Sequence, residues 1–190
     1  MKKILAMILS VMMLMSLAAC SGEPAVDAPK LEGVEAPVDI LNTVWEGYDE
    51  ANKFFAMGGD WTTPVDNAPG AVDVSTPDFL TSNLVCGGDA TAMVDGAASL
   101  IHGMNANTFT GAAYHLVAGT DKAAFADAMK ANLNGNQWMC GFPEKMLIAS
   151  LTDEYAVVAF GAADLVDTFK AELTEAYAVT EVLVDEALAI

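Results

Sequence analysis

The first nineteen residues constrain this chain most, because their composition is shared by no other stretch of it. Met1-Lys2-Lys3 is a short positive start, and Ile4 to Leu17 is an almost unbroken apolar run. At about fourteen residues the run falls short of the roughly 20 that a membrane-spanning helix needs. A basic start followed by such a run is the pattern of a secretory signal. Residues 1–19 are therefore read as a removable signal peptide. About 170 residues remain, enough for one domain of ordinary size that buries about 70% of its unfolded surface.

The stretch Leu17-Ala18-Ala19-Cys20 resembles the bacterial lipobox. The resemblance implies diacylglycerol on the Cys20 thiol, cleavage between Ala19 and Cys20, and fatty acylation (palmitate) of the new terminus. Small side chains suit the peptidase, a thiol supplies the nucleophile, and two or three acyl chains anchor stably where one is marginal. The expected place is the cell membrane, on the face outside the cytoplasm, with the membrane itself as first partner. Residues 20–37 carry Pro24, Pro29 and Pro37 among Glu23, Asp27, Glu32 and Glu35. They read as a disordered, extended tether reaching at most about 55–60 Å.

Charge excludes whole classes of partner. All 26 acidic residues follow Cys20, where only six lysines oppose them, for a formal net charge of −20; arginine is absent. Phosphate backbones and anionic headgroups are repelled by such a surface, so nucleic acid is not an expected partner. An arginine clamp on phosphate or carboxylate is unavailable to this chain. Cationic partners and calcium stay compatible, as does a plain solubilising role for the acidity.

Residues 38–190 are expected to form a single α+β domain. Val38 to Phe55 carries Ile40, Leu41, Val44, Trp45 and Tyr48 on one helical face, with Gly58-Gly59 as the stop. Thr76-Pro77 starts a short helix to Leu84, and Asp89 caps another whose stripe runs Ala92, Met93, Ala97, Leu100, Ile101 and Met104. Residues 38–104 thus read as N-terminal helices and 108–184 as the sheet-forming part. There Thr108–Val117 is a strand, Thr120 to Gly135 a helix, Met146–Leu151 and Tyr155–Phe160 a hairpin, Ala163–Tyr177 a helix and Thr180–Val184 a last strand. The β-α-β-β-α(β) order is ferredoxin-like, which predicts an antiparallel sheet with its helices on one face.

Chemistry-bearing residues are few. His102 is expected at a helix end and His115 in a strand, without metal-ligand spacing. Cys86 and Cys140 are a candidate disulfide across about 55 residues, worth roughly 4 kcal/mol by chain entropy, or two reduced thiols. Gly-Gly-Asp at 58–60 and 87–89 reads as helix end and turn, and Asp60, Asp66 and Asp73 lack calcium-loop spacing. No cofactor motif is present, and none is expected. Two loops stand out. Asn105 and Asn107 put amides at an element junction, and Trp138, Met139 and Phe142 gather soft and aromatic groups; together they form a candidate binding patch, unless the loop folds over the core.

With lipobox, acidic tether and element order combined, the chain resembles small lipoproteins of clostridial-type gut bacteria, for which the resemblance implies a placement and no chemistry. Three functions stay open. The first is a non-catalytic binding or accessory module that recognises an envelope or protein partner. The second is an envelope hydrolase using carboxylates and His115, which requires a pocket with displaced pKa values. The third is a small solute-binding lipoprotein, for which two lobes around a cleft need more chain than this.

Overall fold

The computed structural model describes residues 31–189, so the signal segment, the lipobox with Cys20, and the tether up to residue 30 lie outside the described residues. The elements run α1 (Pro37–Gly47), β1 (Ala56–Gly58), β2 (Val65–Asp66), β3 (Gly70–Val72), α2 (Pro77–Asn83), α3 (Asp89–Ala92), β4 (Val94–His102), β5 (Phe109–Leu116), α4 (Lys122–Gly135), β6 (Lys145–Ser150), β7 (Tyr155–Gly161), α5 (Ala163–Ala176) and β8 (Glu181–Ala187). This is a mixed helix and antiparallel-sheet architecture, as expected of an α+β domain. Among the described residues one sheet joins the strands in the order β2-β1-β4-β5-β7-β6-β8, with β3 beside β1 on the same edge of β4.

Every residue of β7 is buried, and β5 and β6 are nearly so. Near-continuous apolar strands are what a sheet covered on both faces requires. Side chains of alternating parity supply two cores. Tyr114, Met146, Ile148, Val158 and Phe160 meet Phe125, Met129 and Leu133 of α4 and the short helices α2 and α3. On the opposite face Phe109, Leu147, Val157 and Ala159 meet Ile40, Leu41 and Val44 of α1 and Val166, Phe169 and Leu173 of α5. Each large side chain so buried stabilises the fold by about 1.5–3 kcal/mol.

The expectation of helices on one face is therefore corrected, and strand order gives the reason. In the ferredoxin-like arrangement the last strand returns beside the first. Here that edge of β5 is occupied by β4, so β8 pairs with β6 instead. Both crossovers, β5-α4-β6 and β7-α5-β8, then step two strands the same way along the sheet from strands that point oppositely. Crossovers of one hand must in that case place α4 and α5 on opposite faces.

The segment 38–104 departs further from its reading as helices. Helix α1 stops at Gly47, eight residues before Phe55, and the chain turns through Asn52 and Lys53, whose N–H groups donate to Asp49 O. After one turn at Asp89–Ala92 the chain enters a nine-residue strand, β4, so His102 ends a strand. Gly96-Ala97-Ala98-Ser99 suits a strand squeezed between neighbours on both sides, β3 and β1 on one edge and β5 on the other.

The end of the tether region is also corrected. Leu31 and Val34 rest against the core, and the Asp39 carboxylate accepts from the N–H groups of Glu35 and Ala36 at 3.0 and 2.8 Å. A carboxylate there suits the positive end of α1.

Candidate functional site

Three loops, 59–69, 103–108 and 136–144, meet where β4 ends and β5 begins. The 59–69 loop is set by two glycines at its base. A side chain on Gly58 would lie 2.3 Å from Gly70 N, and one on Gly70 would lie 2.3 Å from Gly59 N, so the chain crosses itself at backbone contact. Inside the loop the Asp60 carboxylate, 6% exposed, collects five donors. Its Oδ1 accepts from Thr62 N (2.8 Å), Thr62 Oγ1 (2.7 Å), Thr63 N (2.9 Å) and Thr63 Oγ1 (3.1 Å), and its Oδ2 from Asp73 N (2.9 Å). The Asp73 N–H first, then the Thr62 hydroxyl and the loop amides, hold this carboxyl well below the usual carboxylate range against its burial. Buried Ser99 donates to Gly59 O at 2.7 Å and pins the loop to β4. Gly58-Gly59-Asp60 is thus a strand end and loop clamp rather than the end of a helix.

That clamp holds Trp61 out, 64% exposed, edge-on to Phe79 of α2 with ring centroids 5.4 Å apart. Opposite lies the 103–108 turn. His102 stacks on Phe54 at 5.2 Å, and its Nδ1 accepts from Met104 N at 3.3 Å. Met104 stands 79% exposed. Between the two loops is an open cleft of about 440 Å³, lined by Met57, Trp61, Phe79, Ile101, His102 and Met104 among others.

The two loops singled out in the sequence are brought together beside this cleft. Asn105 Nδ2 donates to Cys140 O at 2.5 Å, and Asn107 Nδ2 donates to Met139 O (2.7 Å) and Gly141 O (3.1 Å). Both amides are spent holding the 136–144 loop, so they shape the surface. Trp138 is only partly exposed and lies on Phe160, 5.4 Å between rings. Met139 and Phe142, at 78% and 67% exposure, point outward. The candidate patch is therefore an apolar end face of Trp61, Met104, Met139 and Phe142, with Phe55 packed at Gly103. Trp61 and Phe55 were missed in the sequence; the only hint was at Trp61, an aromatic side chain set among Gly, Asp, Thr and Pro.

Other candidates sort themselves. Cys86 and Cys140 are both free: Cys86 is buried beside Tyr114, its thiol pushed up to about 12 by burial, while Cys140 sits exposed at φ 62°. The disulfide reading is corrected, since one thiol is under α4 and the other in the outer loop. His115 contacts Asp95 through Nδ1 and lies edge-on to Tyr155, 5.1 Å between rings, but lines neither the Trp61 cleft nor the second cleft at the other end of the sheet. Among the described residues no three His, Cys, Asp or Glu side chains converge as metal ligands, and no helix is long and apolar enough to cross a membrane. Comparison with family models, curated proteins and solved structures finds no match.

Proposed function

We propose that this chain is a lipid-anchored envelope protein, held through Cys20 on the outer face of the membrane, whose domain is a non-catalytic binding module. One observation carries the reading: the chain enters the domain at one end of the sheet and the apolar face lies at the other. Leu31, Val34 and Glu35 line a cleft with Thr152, Glu154 and Tyr155, where β7 begins. Gly161, where β7 ends, pairs with Phe109 and Lys145 beside the loops that carry Met104 and Phe142. Six strand steps separate the two ends by about 20 Å. A tether rising from the membrane to Leu31 presents Trp61 and Phe142 outward.

The hydrolase alternative rests on carboxylates and His115, and His115 with its contact Asp95 lies outside both of these clefts. A solute-binding role is disfavoured by the shallowness of an open cleft against an enclosed one. The finer ferredoxin-like kinship is retained only as the β-α-β-β-α-β order of residues 109–187.

Cys140 supplies the test, being the exposed thiol of the outer end once Cys20 is thioether-linked. In cells that lipidate the full chain, a membrane-impermeant maleimide is expected to label Cys140 after any outer barrier is opened, and Cys20→Ala to abolish incorporation of labelled palmitate and cleavage before residue 20. Unlabelled Cys140 in intact membranes, or unchanged palmitate incorporation in Cys20→Ala, overturns the proposal.

A further inference from the structure

We infer that the Trp61–Met104–Phe142 end face takes a cationic peptide segment bearing apolar anchors. The inference rests on the binding-module reading and names the class of partner. Two kinds of observation meet at this face.

The first is its surface chemistry. Trp61 and Phe142 are rigid aromatic contacts, whereas Met104 and Met139 are unbranched, polarisable side chains that repack around differing shapes. The 440 Å³ between Trp61 and Met104 admits an anchor side chain of the bound segment.

The second is charge. From residue 54 to 121 the chain holds no lysine or arginine, while Asp66, Asp73 and Asp78 stand exposed on the segment that carries Trp61 and Phe79. Among the described residues the lysines that could compensate are committed elsewhere. Lys122, Lys130, Lys145 and Lys170 pair with Glu181, Glu186 and Asp185 of β8, and Lys53 pairs with Glu50. An apolar centre on a segment whose exposed charges are all acidic selects positive charge on what docks there. A second copy of this chain, an acidic peptide and an anionic membrane all meet repulsion instead.

The test uses the full lipidated chain in nanodiscs of zwitterionic lipid. Three peptides of equal length are titrated by calorimetry: a Leu/Lys amphipathic helix, its Leu/Glu counterpart, and a Gly/Ser/Lys peptide without apolar anchors. The Leu/Lys peptide is expected to bind at least tenfold more tightly than either of the others, and to weaken as salt is raised. The double variant Trp61→Ala, Met104→Ala should cost it about tenfold, whereas Val179→Ala, on an exposed site near β8, should cost nothing. Both truncated side chains are mostly exposed, so the variant folds, and unchanged thermal unfolding verifies that. Equal binding of the Gly/Ser/Lys peptide, equal binding of the Leu/Glu peptide, or a double variant within twofold of wild type overturns the inference. Outward labelling of Cys140 alongside any of these leaves the display reading standing and rejects the partner class alone.

Discussion

Asp60→Asn is the sharpest probe of how the Trp61 loop is held. The amide can keep its oxygen toward Thr62 and Thr63, which donate four of the five bonds. Its NH₂ must then face Asp73 N–H, donor against donor, where Oδ2 now accepts at 2.9 Å. A hydrogen bond to a charged acceptor is worth about 1.5–3 kcal/mol, and stranding a buried donor costs about 1–3 kcal/mol. These overlap, and the four remaining bonds weaken with loss of charge, so the net loss is about 2–4 kcal/mol. That is a large part of a typical domain stability of about 5–15 kcal/mol. Urea unfolding should show the midpoint lowered by about 1–2 M with the slope unchanged, taking a slope near 2 kcal/mol/M. The pH dependence carries a definite sign. The folded carboxyl is held below its unfolded value of about 3.9, so its contribution is fully present above about pH 4 and is lost as pH falls from there toward the depressed folded value. The Asp60→Asn variant has no such proton to bind, and the gap between wild type and variant must narrow below about pH 4. A variant within about 0.5 kcal/mol of wild type, or a gap that stays constant from about pH 7 to pH 3, would refute the account of the clamp.

Other substitutions separate packing from charge. Gly58→Ala forces a methyl carbon to 2.3 Å from backbone nitrogen and should destabilise by more than about 3 kcal/mol or prevent folding, read by circular dichroism; a melting curve like wild type would contradict the backbone crossing. In the folded chain a thiol reagent should modify Cys140 at once and Cys86 only after denaturant, because burial keeps the latter protonated; a Cys86–Cys140 cross-linked peptide in a non-reducing digest would count against both placements. Lys145 bridges Asp167 (2.5 Å) and Asp185 (2.7 Å) while mostly covered, so Lys145→Met should cost about 1–2 kcal/mol. A double-mutant cycle with Asp185→Asn should give a coupling above about 0.5 kcal/mol, and zero coupling would make the pair ornamental.

What the sequence disclosed is the local part of the structure. Strand β5, helix α4, the β6–β7 hairpin, α5 and β8 all fall within about three residues of expectation, because each is a periodic segment bounded by its own signals, such as Asp121 accepting from Ala123 N at the start of α4. Residues 89–104 misled for a physical reason. Ala97, Leu100, Ile101 and Met104 fit helical spacing, but Ala97 to Leu100 is also an unbroken buried run, and its ladder partners Gly70, Gly58 and Ala112 are distant in sequence. The two-faced sheet was equally non-local: only the presence of β4 on β5 sends β8 to the far edge. As for the site, the Asn105–Asn107 and Trp138–Phe142 loops could be singled out by composition, but not that one is tied to the other. Trp61 reaches them through a loop whose shape depends on a carboxylate meeting Asp73, thirteen residues on.

The acidity takes on a different meaning once the lysines are placed. Had they been scattered, a net charge of −18 would read as an even coat that keeps the chain soluble. Instead β8, one edge of the sheet, takes four of the five lysines among the described residues. A register shift at Ile148/Ala149 places an extra residue, Leu183, in β8, so that Glu181 and Glu186 both reach α4 and its lysines while Asp185 faces Lys145 and Lys170. A bulge and a row of paired charges are devices that stop an edge strand from recruiting another chain. The positive charge is therefore used to close one edge of the sheet, and its absence from residues 54–121 leaves the exposed Asp66, Asp73 and Asp78, on the segment that carries Trp61, without an ion pair among the described residues. Protection at one edge and exposure at one end are two consequences of the same uneven placement of a few lysines.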